Sequence, residues 1–235
     1  MRAPAAVFAA LACLPGPALA QAYQCRAPRE PVSVPVIVRD EPVRQVAITG
    51  YTLALTWTPE FCRARLGSAA HDRQCSGRAG RFGFVVHGLW PEGRGAAWPQ
   101  WCPTRHLLGP RELARNLCMT PSETVLAHEW AKHGACMAAR PESYFRTARQ
   151  LWSALRWPDF DRLSRTENLT AGRIREELSL ANRPWRAESI GLVLSERGWL
   201  QEIRLCYGRE LRPTACDPRR LGPADSVPVR IWRGL

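Results

Sequence analysis

The cysteines constrain the fold of this chain more than any other feature of its sequence. There are nine among 235 residues, and Cys13 falls in an apolar N-terminal run that we interpret as part of a signal peptide. The remaining eight are an even number in a chain predicted to be exported, which indicates four disulfides rather than metal ligands. No Cys-x-x-Cys pair occurs, which argues against a zinc knuckle. From these residues alone the pairing stays open: Cys25, Cys62, Cys75, Cys102, Cys118, Cys136, Cys206 and Cys216.

The first twenty residues have the pattern of a secretory signal peptide. Arg2 precedes an apolar run at 5–14, and Ala18-Leu19-Ala20 fits a small-x-small cleavage site. No later stretch approaches the roughly 18 apolar residues needed to span a bilayer. We therefore expect an exported protein, periplasmic or extracellular, with no membrane partner.

The rest of the chain is predicted to form an extended lead-in and one domain. Residues 21–48 are rich in Pro and Val, which favours extended backbone over helix. Strands are expected at 51–57, 82–87, 188–195, 199–207 and 227–232, with a hairpin at Arg197-Gly198, and helices at about 110–118, 122–133, 142–157 and 170–180. This order predicts an α+β domain over residues 49–235, an antiparallel β-sheet core with helices packed around it.

The charge of the chain indicates the kind of partner it binds. The formal net charge is +12, and basic residues are spread along the whole sequence. An exported cationic protein has a polyanion as its leading partner: nucleic acid, an anionic glycan or a membrane surface. A compositional excess of arginine, without function, is the alternative.

Lys132 is the only lysine among the 33 basic residues, and other ionisable groups surround it in the sequence. Residues 128–134 read HEWAKHG, and on an α-helix four side chains would project at about 0°, 40°, 100° and 140°: His128, Lys132, Glu129 and His133. Trp130 and Ala131 would face the core, and Gly134 is the expected helix terminator. One face with two imidazoles, a carboxylate and an ammonium predicts a catalytic surface. A solvated polar face is the alternative.

A second group of functional residue types follows the strand at 82–87. His87 is expected at the strand end, where a loop can present it to a cleft, and Gly88 would allow close approach of a substrate or backbone. Trp90 can stack on a nucleic-acid base, and Glu92 can accept hydrogen bonds from a base edge. Three of the five histidines lie in these two short segments.

The segments HGLWPE and HEWAKHGAC resemble the two active-site signatures of the ribonuclease T2 family, a family of acid ribonucleases. The resemblance extends to LALTWTPEFC at 53–62, which is similar to the family's first core strand, and to EIRLCYGRELRPTAC at 202–216, similar to its C-terminal strand and disulfide. Thr56 stands where several relatives have Gln or an aromatic residue. The lead-in at 26–48 is not part of the family pattern.

The resemblance implies an endoribonuclease that uses the RNA 2′-hydroxyl as nucleophile and needs no metal or cofactor. It implies that His133 is the general base and His87 the general acid, on opposite sides of the phosphate. It further implies that His128 holds the phosphate and that Lys132, with Glu129, stabilises the transition state. The implied base-binding residues are Trp90, Glu92 and Trp98 for a first pocket, and Thr120, Pro121 and Ser122 for part of a second. We expect RNA as the substrate and a monomeric protein.

The resemblance also implies disulfides Cys102–Cys136 and Cys206–Cys216. Cys62–Cys75 is then expected as a local bridge, and Cys25–Cys118 remains.

Two other functions compete with this interpretation. A zinc metallopeptidase requires His-Glu-x-x-His, but here the two histidines are five residues apart and Lys132 stands at the ligand position, where an ammonium opposes a dication. The other alternative is a secreted polyanion-binding protein that is catalytically silent, although every catalytic side chain is present.

Overall fold

The computed structural model describes residues 25–28 and 32–234. The expected signal peptide at 1–20 lies outside these residues, as do residues 21–24 and 29–31 of the lead-in. The described part of the lead-in has neither helix nor strand, and an isolated β-bridge joins Arg44 to Gln100.

A four-stranded antiparallel sheet forms the centre of the domain. Its strands are β1 (Gly50–Trp57), β2 (Phe84–Glu92), β3 (Ile190–Leu194) and β4 (Leu200–Gly208), in the order β2-β1-β4-β3. Because β1 is an inner strand, Leu53, Ala54 and Leu55 are all fully buried, although they alternate between the two faces. The predicted hairpin joins β3 to β4, and Gly198 provides its positive φ of 76°. The predicted α+β class with an antiparallel sheet is confirmed.

Helices surround this sheet. They are α1 (Thr58–Arg63), α2 (Asp72–Cys75), α3 (Pro110–Asn116), α4 (Glu123–Glu129), α5 (Ala135–Met137), α6 (Pro141–Ser153), α7 (Phe160–Leu163), α8 (Ala171–Ala181) and α9 (Pro218–Leu221). Four of them, α3, α4, α6 and α8, lie where helices were predicted. Helix α6 ends at Ser153 and not at the predicted 157, and Pro158 disfavours helical backbone at the last residue of the predicted range. In the described ranges no helix has the length and hydropathy required to cross a membrane.

The strand predicted at 227–232 is absent. In that segment Val229 donates its backbone N–H to Leu169, whereas Arg230 exchanges backbone hydrogen bonds with Gly198 and Leu200. Successive residues of the segment therefore bond to two different parts of the chain. Because no single partner strand pairs along its length, only isolated bridges form.

An aromatic cluster fills the core between the sheet and α7. Phe84 lies at the centre, stacked on Trp157 with ring centroids 4.6 Å apart, and Trp57 and Phe160 pack against it at 4.7 and 4.8 Å. Burial of each such side chain contributes about 1.5–3 kcal/mol to folding. This cluster anchors the ends of β1 and β2 and so fixes the strands that bear the site.

Four disulfides are present, in the expected pairs Cys25–Cys118, Cys62–Cys75, Cys102–Cys136 and Cys206–Cys216. Cys25–Cys118 attaches the lead-in to the loop after α3. Cys102–Cys136 attaches the loop after β2 to α5, immediately after the histidine-rich segment. Each closes a loop that would be open in the unfolded chain and contributes about 2–4 kcal/mol.

Candidate active site

A β-bulge, rather than a strand end, presents His87. Strand β2 continues through the whole HGLWPE segment to Glu92, and the register with β1 shifts: Val86 pairs with Leu55 and Gly88 with Ala54, so His87 is the extra residue. In a regular strand His87 and Trp90, three positions apart, would point to opposite faces. The bulge resets the alternation, and their rings lie 5.2 Å apart on one face. The prediction that His87 lies at the end of its strand was wrong, because β2 continues past it to Glu92.

The histidine-rich segment, HEWAKHG at 128–134, lies on the end of α4 and on the π-helical turn that follows it. Ser122 caps α4 by accepting a hydrogen bond from the Val125 backbone N–H at 3.3 Å. Residues 130–134 then form a π-helical turn, a feature that often occurs at functional sites. This wider turn carries Lys132 and His133. Trp130 faces the core as predicted, whereas Ala131 is only half-buried.

The prediction that Gly134 ends the helix was wrong. Helical structure continues through α5 to Met137. A Cβ atom at position 134 would lie 2.6 Å from the Trp130 ring and 2.9 Å from the Tyr144 ring. Glycine is therefore required here for close packing against α6, and not for termination.

Glu129 is buried, so the four ionisable groups of this segment do not form a solvated face. It is 4% exposed and its Oε2 accepts a hydrogen bond from Trp90 Nε1 at 2.8 Å. Burial raises the pKa of Glu129 to about 7, against the opposing charges of His87 and Lys132. A Cβ atom at Gly88 would lie 2.0 Å from Glu129 Oε2. The missing side chain of Gly88 therefore leaves room for the Glu129 carboxyl and the Trp90 indole. The sequence had suggested that a substrate or another backbone would approach there.

His133 is held in its neutral form. It is 9% exposed, and burial, followed by the positive charges of Lys132 and His128, lowers its pKa to about 3. The centroids of the Trp90 and His133 rings lie 5.9 Å apart, so Trp90 of the HGLWPE segment packs next to the HEWAKHG segment. His133 is therefore unprotonated near neutral pH, which is the state that a general base requires.

His87 is shifted in the opposite direction. Burial lowers its pKa, but the hydrogen bond to Glu202 and the charges of Glu129 and Glu202 outweigh burial and raise the pKa above the ordinary 6.5. His87 Nδ1 donates to Glu202 Oε1 at 2.7 Å, and Nε2 lies 3.9 Å from Glu129 Oε1. His87 can therefore donate a proton under the conditions in which His133 accepts one.

Lys132 and His128 lie at the more open side of the site. Lys132 Nζ is 2.5 Å from Glu41 Oε2 and 3.8 Å from Asp40 Oδ1, and both acidic residues come from the lead-in. Burial, followed by the charge of Lys132, lowers the pKa of His128. A neutral imidazole next to an ammonium is able to hold a phosphate oxygen by hydrogen bonding.

The second implied base pocket coincides with a cavity. Thr120, Pro121 and Ser122 line a cavity of about 370 Å³ that His87 borders. Phe61 lines the same cavity and offers an aromatic face, over which the Arg65 guanidinium stacks at 4.1 Å.

The residues of the first implied base pocket are held by other side chains of the protein. Thr52 donates to Glu92 Oε1 at 2.6 Å, and Arg220 pairs with Oε2 of the same carboxylate. Trp98 donates its indole N–H to Gln100, and the Arg44 guanidinium lies 4.9 Å over its ring. The base-binding roles of Trp90, Glu92 and Trp98 remain predictions.

Several residues of the site were not predicted from the sequence. Glu202, Arg204, Asp40, Glu41 and Arg220 all come from segments distant in sequence from the two signatures. A weak signal existed only for Glu202 and Arg204, which lie two positions apart and so share one face of the predicted strand 199–207. Within the described ranges no group of three or more His, Cys, Asp or Glu side chains is arranged to hold a metal ion.

Comparison with known proteins shows that the chain is similar to ribonucleases. Residues 48–169 match the model of the Ribonuclease T2 family. A probable ribonuclease of Haemophilus influenzae is 36% identical over 198 residues, which cover 78% of this chain and 68% of the relative. A ribonuclease of Aeromonas hydrophila is 36% identical over 101 residues, or 43% of each chain. The solved structure of trichomaglin, an S-like ribonuclease, superposes with a TM-score of 0.60 at 20% identity, covering 78% of this chain and 97% of that one.

Proposed function

The chain belongs to the ribonuclease T2 family, and from this membership we propose that it is an endoribonuclease that cleaves single-stranded RNA by attack of the 2′-hydroxyl on the adjacent phosphorus. One observation carries the mechanism. Two imidazoles share one site, and their surroundings move their pKa values apart, down to about 3 for His133 and above 6.5 for His87. Groups separated in this way can act as base and acid at the same pH.

The proton transfers follow from these states. Neutral His133 takes the 2′-hydroxyl proton while the bond from O2′ to phosphorus forms. Protonated His87 gives its proton to the 5′-oxygen as the bond from phosphorus to O5′ breaks, which leaves a 2′,3′-cyclic phosphate. In the second, slower step water replaces the 5′-oxygen and the two histidines exchange roles, which yields a 3′-phosphate.

The remaining polar groups bind the charge that develops on the phosphate. Lys132 places a compact positive charge next to the site, and His128 donates a hydrogen bond to a phosphate oxygen. Glu129, with its raised pKa, accepts a hydrogen bond from the Trp90 indole and lies 3.9 Å from His87 Nε2. We propose that this buried carboxyl, together with Lys132, stabilises the transition state.

The location of the cavity supports a binding site for one base. His87 protonates the leaving 5′-oxygen, so the leaving nucleotide lies on its side of the phosphate. The cavity lined by Phe61, Pro121 and Ser122 borders His87 and is therefore proposed to accept the base of that nucleotide. Trp90, Glu92 and Trp98 are proposed to contact the other base. Export through the signal peptide, independence of metals and cofactors, and a monomeric state complete the proposal.

The proposal is tested with an RNA oligonucleotide that carries one 2′-deoxy nucleotide at the scissile position. Cleavage at that linkage should be abolished because the nucleophile is missing, whereas binding, driven by arginine–phosphate contacts, should be retained. Unmodified RNA should give a 2′,3′-cyclic phosphate first and a 3′-phosphate later, by chromatography of the products, at the same rate with and without EDTA.

Other results would contradict the proposal. A 5′-phosphate product, or cleavage of DNA at a comparable rate, would mean that water is the nucleophile. Activity lost in EDTA and restored by zinc would support the metallopeptidase-like site, and binding of RNA without any cleavage would support a catalytically silent protein.

A further inference from the structure

Glu202 of β4 contacts His87 of β2 although β1 lies between the two strands. His87 Nδ1 donates to Glu202 Oε1 at 2.7 Å. Thr56 of β1 pairs directly with Glu202 in the sheet, and its hydroxyl donates to the same oxygen at 3.4 Å. The short side chain of Thr56 leaves room for Glu202 to reach across β1 to His87.

The other carboxylate oxygen of Glu202, Oε2, is bound by Arg204. Arg204 donates from Nε and Nη2 to Oε2 at 3.2 and 3.1 Å, and the Glu202 side chain is only 13% exposed. Burial raises the pKa of Glu202, but the hydrogen bond to His87 and the charges of His87 and Arg204 lower it below its usual value. The carboxylate is thus ionised and fixed in one orientation.

We propose that Glu202 is a positioning residue for His87, which it orients through Nδ1 so that Nε2 faces the scissile linkage. This proposal rests on the assignment of His87 as the general acid. A second partner on Nδ1 determines the ring plane and makes Nε2 the nitrogen that exchanges protons with the substrate. Nε2 points to the catalytic side, where Glu129 lies 3.9 Å away.

The pH dependence of the reaction reports on this contact. His87 faces Glu202 and Arg204 from β4 and Glu129 from α4, and it also interacts with the charges of His128 and His133. An acid must be protonated, so activity is lost as the pH rises through the pKa of His87. Glu202→Gln removes one negative charge and weakens the hydrogen bond, so that the basic limb of kcat/KM should move to lower pH.

We expect this limb to shift by about 1 pH unit in Glu202→Gln. The pKa of His87, followed by NMR of ¹⁵N-labelled histidine in the full-length protein, should fall by the same amount. Glu202→Asp keeps the charge on a shorter side chain, so the pKa of His87 and the basic limb should lie between those of the wild-type and Glu202→Gln proteins. Glu196→Gln removes an exposed carboxylate from the β3–β4 turn and should leave both measurements unchanged.

The two measurements separate this proposal from the assignment on which it rests. An unchanged His87 pKa in a folded Glu202→Gln protein would overturn the proposal. A lowered pKa with an unmoved basic limb would instead contradict the role of His87 as the acid, and the catalytic role of Glu202 would fall with it.

A different observation concerns the lead-in, which the family match at 48–169 does not include. Its Asp40 and Glu41, which we call the acidic pair, bring two carboxylates to Lys132 Nζ at 3.8 and 2.5 Å. Beyond the pair, Arg44 exchanges two backbone hydrogen bonds with Gln100 at 3.0 and 2.9 Å, and the Gln100 amide donates to Pro42 at 2.9 Å. The disulfide Cys25–Cys118 holds the other end of the lead-in.

From this arrangement we infer that the acidic pair is an autoinhibitory contact that competes with the RNA phosphate for Lys132. The pair neutralises the one ammonium of the site, so a phosphate must displace the carboxylates from Lys132 before it can bind the ammonium. The segment is held on both sides, so the pair remains close and acts at a high effective concentration. Both carboxylates are substantially exposed, which lets them exchange with a ligand and limits the strength of the contact.

The competition is measured with inorganic phosphate as the probe. In the variant Asp40→Asn/Glu41→Gln, the phosphate Kd, from NMR titration of the active-site histidine signals, should fall about threefold or more. Removing two charges strengthens anion binding in general, so the matched control is Glu167→Gln/Glu210→Gln, which neutralises two exposed carboxylates elsewhere. In a Lys132→Ala background the acidic-pair substitutions should lower Kd no more than the control does.

A Kd that stays constant or rises in the acidic-pair variant would overturn the inference, since the carboxylates would then support Lys132 instead of competing for it. A fall equal to that of the control would overturn it as well, because the effect would be one of net charge. A larger fall that persists without Lys132 would equally contradict it.

Discussion

Alanine at His87 or at His133 is expected to lower kcat by about 10²- to 10⁴-fold, because each variant lacks one of the two proton transfers. The two losses should differ in how they are rescued. A substrate whose leaving group is a better one than a 5′-alkoxide no longer needs an acid, so it should restore much of the rate of the His87 variant and little of that of the His133 variant. The measurement is single-turnover cleavage of two matched substrates that differ only in the leaving group.

A histidine outside the site provides the control for this comparison. His106 is exposed in the loop between β2 and α3, and His106→Ala should retain full activity. Rescue of the His133 variant in place of the His87 variant would exchange the two roles. Equal rescue of both would mean that neither histidine acts on the leaving group alone.

Much of the fold could be predicted from local sequence pattern. The alternation at 51–57 corresponds to β1, and the apolar run at 82–87 overlaps the first part of β2. Thr170 caps α8 close to its predicted start. These elements are determined by hydrophobic periodicity and capping residues, which act within a few residues of one another. The ribonuclease family was likewise recognisable from two short signatures.

The irregular elements that build the site could not be predicted in this way. The bulge at His87 and the π-helical turn at 130–134 each add one residue to a regular pattern. Their stability comes from contacts formed only in the folded protein, such as the Trp90–Glu129 hydrogen bond that closes over Gly88. Regular strand and helix geometry therefore placed Glu129 on an open helix face and His87 at a strand end, and both placements differ from the structure.

The charged partners of the catalytic groups were missed for a topological reason. Glu202 is 115 residues from His87 in sequence, and they meet because β4 lies one strand beyond β1 in the sheet order. Asp40 and Glu41 reach Lys132 only because the lead-in folds back along the loop after β2. Sequence pattern predicts which groups do the chemistry, whereas the strand order and the path of the lead-in determine which charged side chains lie next to those groups.

Lys132→Ala is expected to lower kcat by about 10²- to 10³-fold with little change in KM, since the ammonium acts mainly on charge that appears in the transition state. Trp101 and the acidic pair surround its Nζ, and the side chain is only 15% exposed, so few positions are open to a replacement cation. Lys132→Arg keeps the charge but brings a planar fork to a site built for a compact ammonium, and should recover only part of the rate.

The control for Lys132 is an exposed cation, because losing any positive charge weakens the binding of a polyanion. Arg105→Ala, in the loop before α3, should raise KM slightly at low salt and leave kcat unchanged. A Lys132→Ala variant that behaves like Arg105→Ala, with altered KM and normal kcat, would show that the ammonium only attracts RNA. Full recovery in Lys132→Arg would show that charge alone matters. In the first case the ammonium would have no part in the transition state, and in either case the presence of one lysine among 32 arginines would need another reason.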